Sequence, residues 1–144
     1  MKSNNRLQDL RILAVDDHKD TREMLRFLLQ RQGANVIAVE SVTEAVDSFQ
    51  SLPPDLILTD IAMPDYNGYG LIALVRANDK KIGRTTPAIA LTAYTSPADE
   101  QTALAAGFQK YMSKPFEPAE LIEAIRNLVM KGRIRPNIRD LDRS

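Results

Sequence analysis

Ile12-Leu13-Ala14-Val15-Asp16-Asp17 is a run of four apolar residues that ends in two carboxylates. Similar apolar runs follow at residues 36–39, 56–58 and 88–91, and a weaker one lies at residues 108–112. Hydrophobicity that is continuous rather than alternating is typical of strands covered on both faces, as in a parallel sheet. The pattern therefore predicts five buried parallel strands.

Segments with helical spacing of apolar residues lie between and after these runs. Their apolar positions are Met24, Leu25, Leu28 and Leu29, then Val42, Ala45, Val46 and Phe49, then Leu71, Leu74 and Val75, and finally Leu121, Ile122, Ile125, Leu128 and Val129. Residues that suit helix starts are Asp20 with Glu23, Ser41 with Glu44, and Ser96 with Pro97. Strand and helix thus alternate five times, which predicts an α/β fold with a doubly wound open sheet.

The fourth helix, predicted at about residues 97–106, has few large apolar side chains. Leu104 is the only one, and it stands beside several alanines. Such a helix forms readily, because alanine has the highest helix propensity, but it buries little apolar surface. We therefore expect this helix to be loosely held.

The composition indicates one small domain. The chain has 144 residues, with 19 basic and 19 acidic side chains and no cysteine. This excludes a disulfide scaffold and gives no net charge that would attract nucleic acid or a membrane surface. No signal-peptide core follows the N-terminus, and no apolar run approaches the roughly 20 residues that span a bilayer. We expect a cytoplasmic protein.

Polar side chains of chemical interest come directly after the predicted strands. Asp16 and Asp17 follow the first strand, Asp60 the third, Thr92 the fourth and Lys114 the fifth. Because the carboxyl ends of parallel strands share one edge of the sheet, we expect these residues to converge on one crevice. Taken alone, each of these residues is more often a turn or cap residue, so the prediction of a crevice rests on the whole set.

The residue types in this set favour a metal ion and a phosphoryl group. Neighbouring carboxylates repel each other and need either a cation or raised pKa values, and oxygen ligands favour a hard cation such as Mg²⁺. Lys114 and Thr92 offer an ammonium and a hydroxyl that suit phosphoryl oxygens. A carboxylate can also attack phosphorus and form an aspartyl phosphate.

Four motifs carry a resemblance to a known family. They are Ile12-Leu13-Ala14-Val15-Asp16-Asp17, Asp60-Ile61-Ala62-Met63-Pro64-Asp65-Tyr66-Asn67-Gly68, Ala90-Leu91-Thr92-Ala93-Tyr94 and Tyr111-Met112-Ser113-Lys114-Pro115-Phe116. The chain resembles the CheY-like receiver domains of two-component response regulators over about residues 9–131. The resemblance implies a flavodoxin-like (βα)5 three-layer sandwich, in which a five-stranded parallel sheet of order 2-1-3-4-5 carries helices on both faces.

The resemblance also implies roles for the residues of the crevice. Asp60 would be the phosphoacceptor. Asp17, Asp60 and the backbone carbonyl of Ala62 would bind Mg²⁺ directly, whereas Asp16 would act mainly through water. Lys114 would contact the phosphoryl group, or Asp60 before the transfer.

Two further residues would convert phosphorylation into a signal. Thr92 would move to hydrogen-bond the new phosphoryl oxygen, and Tyr111 would turn inward into the space that the threonine leaves. The surface of the fourth helix, fifth strand and fifth helix would then change. The Lys114–Pro115 peptide bond is expected to be cis.

The implied function is that of a regulatory phosphoacceptor and not of an enzyme. The phosphoryl donor would be a sensor histidine kinase or a histidine phosphotransfer protein. The target would be a downstream protein or an attached output domain, without direct binding to nucleic acid or membrane. The chain would be a monomer or a phosphorylation-linked dimer, either as a stand-alone regulator or as a receiver from a hybrid kinase.

Three positions beside the crevice bear on its chemistry. Ala62 and Tyr94 offer no carboxylate or amide that could orient a hydrolytic water, which predicts slow self-dephosphorylation. His18 is the only histidine of the chain. It could serve in metal binding or proton transfer, but an exposed residue that opens the first helix is the favoured interpretation.

The expected domain division has three parts. Residues 1–8 form an N-terminal extension, residues 9–131 the receiver domain, and residues 132–144 a C-terminal tail or linker. The end of the chain is rich in arginine, which could touch nucleic acid or an acidic partner. A solvated tail is the favoured interpretation.

Two other classes of protein compete with this interpretation. Aspartate-nucleophile phosphatases of the haloacid dehalogenase type need a second aspartate two positions after the first, but His18 stands two positions after Asp16 and Lys19 two after Asp17. A phosphorylation-independent interaction module usually lacks one of the acidic pair, the phosphoacceptor or the lysine. Here all of them are present.

Overall fold

The computed structural model describes residues 6–61, 68–93 and 96–143, with side chains described as far as residue 130. Five strands alternate with five helices. The strands are β1 (Arg11–Val15), β2 (Asn35–Val39), β3 (Leu56–Asp60), β4 (Ala88–Thr92) and β5 (Lys110–Ser113). The helices are α1 (Lys19–Gln30), α2 (Val42–Ser51), α3 (Gly68–Ile82), α4 (Pro97–Ala106) and α5 (Pro118–Arg143).

The strands form one parallel sheet of order β2-β1-β3-β4-β5, so the predicted flavodoxin-like topology is confirmed. In the register Leu13 lies opposite Ile37 of β2 and Ile57 of β3. β3 and β4 are buried along their whole length, which agrees with their continuous apolar sequences. Because every pairing is parallel and a helix joins each strand to the next, all five strands end at one edge of the sheet.

Two hydrophobic cores cover the two faces of the sheet. Ile12 and Ala14 point to one core, which α1 and α5 close, whereas Leu13 and Val15 point to the other, which α2, α3 and α4 close. Alternate residues of β1 enter two different apolar cores, and for this reason the strand has an unbroken apolar sequence. The molecule is therefore a three-layer sandwich.

Three of the predicted helix starts can be compared with the structure. Ser41 accepts a hydrogen bond from the backbone of Glu44, and Ser96 accepts one from Asp99, so these two caps are confirmed. The predicted cap at Asp20 is wrong, because α1 begins at Lys19 with His18 as its N-cap. The side chain of Asp16 accepts the His18 backbone N–H at 2.9 Å and thereby starts the helix earlier.

Helix α4 has the predicted bounds and, as predicted, buries little apolar surface. In this fully described helix Ala103 is the one buried residue, and Leu104 is 43% exposed. Its C-terminal end is better held, because Arg76 of α3 donates hydrogen bonds to the Gly107 carbonyl. Helix α4 is therefore tied to α3 at its C-terminal end but adds little to the core.

Described residues lie on the outer side of both predicted domain bounds. Leu7 is fully buried in the core, and Arg6 forms an ion pair with Glu123 at 2.6 Å. Helix α5 continues past residue 131 to Arg143. The division at residues 8 and 131 stays a prediction. Within the described ranges, no helix combines the length and the apolar character that a membrane crossing needs.

Candidate functional site

The ends of four strands bring the predicted polar residues together. Asp16 follows β1, Asp60 and Thr92 end β3 and β4, and Lys114 follows β5. Lys114 Nζ donates to Asp16 Oδ2 at 2.7 Å and to Asp60 Oδ2 at 3.2 Å. These contacts join residues that are 98 and 54 positions apart in the sequence, so the predicted convergence of Asp16, Asp60 and Lys114 is confirmed.

Two carboxylates of the crevice are buried away from water, which makes their negative charges costly to hold. Asp16 is 1% exposed and Asp60 is 5% exposed. Burial alone would lower the pKa of Lys114, but the hydrogen bond and charge of Asp16, followed by those of Asp60, outweigh it and raise the pKa above its ordinary value. Lys114 is therefore held in its charged form against the acidic pair.

The carboxylate and the backbone carbonyl of Asp16 accept hydrogen bonds that hold the local backbone. Its Oδ1 accepts the backbone N–H of His18 at 2.9 Å and lies 3.1 Å from His18 Nδ1. Arg22 donates to the Asp16 backbone carbonyl at 2.9 Å and lies 3.5 Å from Glu40. Arg22 is a supporting residue that the sequence reasoning missed, since an arginine one turn into a helix carries no motif.

Four side chains could hold a metal ion. Asp16, Asp17, His18 and Asp60 each offer one ligand atom, and these atoms all lie within 4.8 Å of one another. Asp17 Oδ1 is buried and has no hydrogen-bond partner among the described residues. A buried carboxylate oxygen without a donor is costly unless a cation approaches it, so this donor set fits a divalent ion. Ala62, predicted as a further ligand through its carbonyl, lies outside the described residues.

The two predicted switch residues sit on neighbouring strands. Thr92 is fully buried, and its carbonyl accepts the backbone N–H of Lys114 at 2.8 Å. Tyr111 packs against the core under α3 and α4, and its hydroxyl has no hydrogen-bond partner in the described part of the chain. Burial, then the charge of Asp99, raises the pKa of Tyr111. The Lys114–Pro115 bond is cis, as expected.

Comparison with protein-family models adds the deciding observation. The model described as response regulator receiver domain matches residues 12–126 of the chain. The chain belongs to this family. Receiver domains are the phosphoacceptor modules of two-component signalling, so the chain is a regulatory domain of that kind.

Relatives of this receiver domain include proteins of different lengths. An uncharacterized 14.6 kDa protein of Leptolyngbya boryana is 44% identical over 120 residues, which cover 83% of this chain and 90% of that protein. The DNA-binding response regulator MtrA of Mycobacterium leprae is 32% identical over 136 residues, 92% of this chain and 58% of MtrA. The chain thus spans little more than half the length of that DNA-binding relative.

A solved structure supports the same assignment of fold. Chemotaxis protein CheY4 of Vibrio cholerae matches with a TM-score of 0.75 and 31% sequence identity, and the match covers 83% of this chain and 98% of CheY4. The receiver fold of this chain is therefore confirmed both by its topology and by comparison.

Proposed function

We propose that Asp60 of this receiver domain accepts a phosphoryl group from a histidine kinase or a histidine phosphotransfer protein, with Mg²⁺ bound beside it. The observation that carries the proposal is the contact between Asp60 Oδ2 and Lys114 Nζ at 3.2 Å, in a crevice that also holds Asp16 and Asp17. Asp60 ends the central strand β3 and faces the edge where all strands end.

In the proposed reaction a carboxylate oxygen of Asp60 attacks phosphorus while the P–N bond of a donor phosphohistidine breaks. Lys114 lies beside the attacked group and offsets the negative charge that develops there. Because Lys114 is also bound to Asp16, its ammonium is positioned before the donor arrives. Thr92 stands at the end of the next strand and would donate its hydroxyl to a phosphoryl oxygen.

The metal would be held by Asp17 and Asp60 with the backbone carbonyl of Ala62, and Asp16 would act through water. Both carboxylate oxygens of Asp16 are engaged by protein groups, which supports its indirect role. Asp17 Oδ1 lacks a donor among the described residues, which supports direct ligation. A bound Mg²⁺ supplies positive charge that neutralises the transferring phosphoryl group.

The proposed output is a change in the surface formed by α4, β5 and α5. Phosphorylation adds charge and strong acceptors at one point, and it needs a nearby element with two arrangements of similar free energy. Helix α4 is our candidate for this element because Ala103 is its one buried residue, and Tyr111 packs against the same core as Ala103. Movement of Thr92 and Tyr111 would bias α4 and so control a partner protein or an attached domain.

Other expectations about partners also remain proposals. The chain is proposed to act without direct nucleic-acid or membrane contact, as a monomer or a phosphorylation-linked dimer. MtrA is a DNA-binding regulator, but the part of MtrA that the chain matches is little more than half of it. Slow self-dephosphorylation likewise stays a prediction, because Ala62 and Tyr94 lie outside the described residues.

Intact-mass measurement tests the proposal directly. The protein is incubated with acetyl phosphate and Mg²⁺, and then with candidate histidine kinases, beside Asp60→Asn and Asp20→Asn variants. Asp20 is an exposed aspartate in the first turn of α1 and serves as the matched control. We expect one added phosphoryl group in the wild type and in Asp20→Asn, and none in Asp60→Asn or in EDTA. Failure with every donor would favour a phosphorylation-independent interaction module.

A further inference from the structure

The imidazole of His18 lies among the carboxylates of the candidate metal site. Its Nδ1 is 3.1 Å from Asp16 Oδ1 and 3.3 Å from Asp17 Oδ1. The ring is 66% exposed, so it borders the crevice on the solvent side. One ring nitrogen therefore faces oxygens from two different carboxylates.

The contact between His18 Nδ1 and Asp17 Oδ1 is not a hydrogen bond. Asp16 Oδ1 already accepts the His18 backbone N–H, and it lies within hydrogen-bond distance of Nδ1. Asp17 Oδ1 lies near the same nitrogen, yet it is buried and makes no hydrogen bond with any described residue. His18 Nδ1 and Asp17 Oδ1 thus lie side by side without a hydrogen bond: they form an ion pair if the imidazole is protonated, and they offer two lone pairs to one cation if it is neutral.

The separation of these two atoms suits ligands of one ion. Metal–ligand bonds of about 2.1 Å place adjacent ligands of a six-coordinate ion roughly 3 Å apart. The 3.3 Å between His18 Nδ1 and Asp17 Oδ1 is close to that spacing. His18 is also a member of the cluster whose ligand atoms lie within 4.8 Å of one another.

We propose that His18 Nδ1 is an additional ligand of this metal site and that it raises the affinity of the site for divalent transition ions such as Co²⁺ relative to Mg²⁺. This inference rests on the metal site of the proposed function and adds a ligand to it. Oxygen ligands alone favour Mg²⁺, whereas an imidazole adds affinity for transition ions. His18 thus shifts the preference of the site without removing its oxygen ligands.

The backbone at His18 allows this role to be tested cleanly. His18 is the N-cap of α1 with φ −92° and ψ 120°, and its side chain makes no cap hydrogen bond. Asparagine is a favoured N-cap residue, so His18→Asn keeps the start of the helix while it removes the imidazole. The chain must be prepared without an affinity tag, because His18 is then its only histidine.

Pulsed EPR of bound Mn²⁺ provides the direct readout. We expect nitrogen modulation of the imidazole type in the wild type and its loss in His18→Asn, and any such signal from the untagged chain belongs to His18. Binding calorimetry in neutral to mildly alkaline buffer then compares ions. We expect His18→Asn to lose about tenfold in Co²⁺ affinity and less than about twofold in Mg²⁺ affinity. Asp17→Asn, as the contrasting variant, should weaken both ions.

The results separate this inference from the proposed function. Nitrogen modulation in the wild type without phosphorylation of Asp60 would support the inference and contradict the proposed function. Phosphorylation of Asp60 in a protein whose bound Mn²⁺ shows no nitrogen modulation would overturn the inference alone. Equal Co²⁺ affinity of the wild type and His18→Asn, or no Mn²⁺ binding by the wild type, would also overturn it.

Discussion

Lys114 Nζ lies 2.7 Å from Asp16 Oδ2, closer than the 3.2 Å that separates it from Asp60 Oδ2. The carboxylate that holds the lysine most closely is therefore the more deeply buried Asp16 and not the proposed phosphoacceptor. The ammonium of Lys114 therefore lies beside Asp60 while its shorter hydrogen bond is to Asp16. A phosphoryl group on Asp60 could then compete for Lys114, while Asp16 keeps the charge paired in the resting state.

Replacement of Lys114 by methionine should destabilise the protein when no metal ion is present. The variant removes the ammonium that contacts both of the buried Asp16 and Asp60 carboxylates, and we expect a loss of about 2 kcal/mol in the free energy of unfolding. Urea unfolding in EDTA measures this loss, and Mg²⁺ should restore part of it. Lys110→Met, at an exposed position on β5, is the control and should be close to neutral. A Lys114→Met protein as stable as the wild type in EDTA would contradict the prediction.

The stabilising effect of Lys114 should disappear at alkaline pH. Its pKa in the folded protein is raised above the ordinary 10.5, despite a lowering effect of burial, because the Asp16 and Asp60 carboxylates favour the charged form. A raised pKa means that the contribution is fully present below 10.5 and is lost as pH rises through the folded value. The difference in unfolding free energy between the wild type and Lys114→Met should therefore shrink above pH 10.5. A constant difference across that range would argue against the ion pair.

Asp17→Asn should make the metal-free protein more stable and remove its response to Mg²⁺. Asp17 offers a ligand oxygen within 4.8 Å of those of Asp16 and Asp60. Removing one negative charge from this cluster should add on the order of 1 kcal/mol to the free energy of unfolding. Thermal unfolding in EDTA and in Mg²⁺ checks both parts. Asp20→Asn, exposed in the first turn of α1, should keep the response to Mg²⁺, and an Asp17→Asn variant that Mg²⁺ still stabilises would refute the assignment.

Much of the site could be predicted from the sequence because it depends on strand ends. The apolar runs define where β1, β3 and β4 stop, and the topology then brings Asp16, Asp60 and Thr92 to one edge. The caps at Ser41 and Ser96 are equally local, since each involves a residue three positions away. Features fixed by short-range periodicity were therefore predictable.

The failures depend on contacts that no local pattern displays. Asp20 has the spacing of a cap with Glu23, but a hydrogen bond from the His18 backbone to Asp16 starts the helix earlier. Arg22 supports the Asp16 carbonyl across six residues, which leaves no motif in the sequence. The sequence already allowed His18 a role in metal binding, but the distances from its ring nitrogen to Asp16 and Asp17 depend on the folded structure.

Tyr111→Phe should stabilise the protein in the unphosphorylated state. The Tyr111 hydroxyl is buried without a hydrogen-bond partner in the described ranges, and such a group costs about 1–3 kcal/mol. We expect a gain of roughly 1 kcal/mol in chemical denaturation, because the ring is kept and only the hydroxyl is lost. Tyr69→Phe is the matched comparison on α3 and should show no such gain, because the Tyr69 hydroxyl is not among the buried groups that lack a hydrogen bond. Destabilisation by Tyr111→Phe would indicate that its hydroxyl has a partner.

Gly68 links the start of α3 to the end of β3, and its replacement should damage the phosphoacceptor site. A Cβ at position 68 would lie 2.7 Å from Ile61 Cα and 2.9 Å from the Asp60 carbonyl oxygen, both of them backbone atoms that cannot rotate away. Gly68 also donates its N–H to the Ile61 carbonyl at 3.1 Å, so the added atom must push the end of β3. We expect Gly68→Ala to lose about 2 kcal/mol of stability and to accept phosphate from acetyl phosphate several-fold more slowly.

Gly83→Ala distinguishes damage at the site from the general cost of replacing a glycine. Gly83 has φ +71°, and no described atom outside its immediate neighbours lies within 4 Å of the place that a Cβ would take. Its alanine variant should therefore lose only the conformational cost of about 1 kcal/mol. Because Gly83 follows the end of α3 that lies away from Asp60, phosphorylation should proceed at the wild-type rate. If the two variants lose stability equally and both accept phosphate normally, the close approach of Gly68 to β3 has no part in holding Asp60.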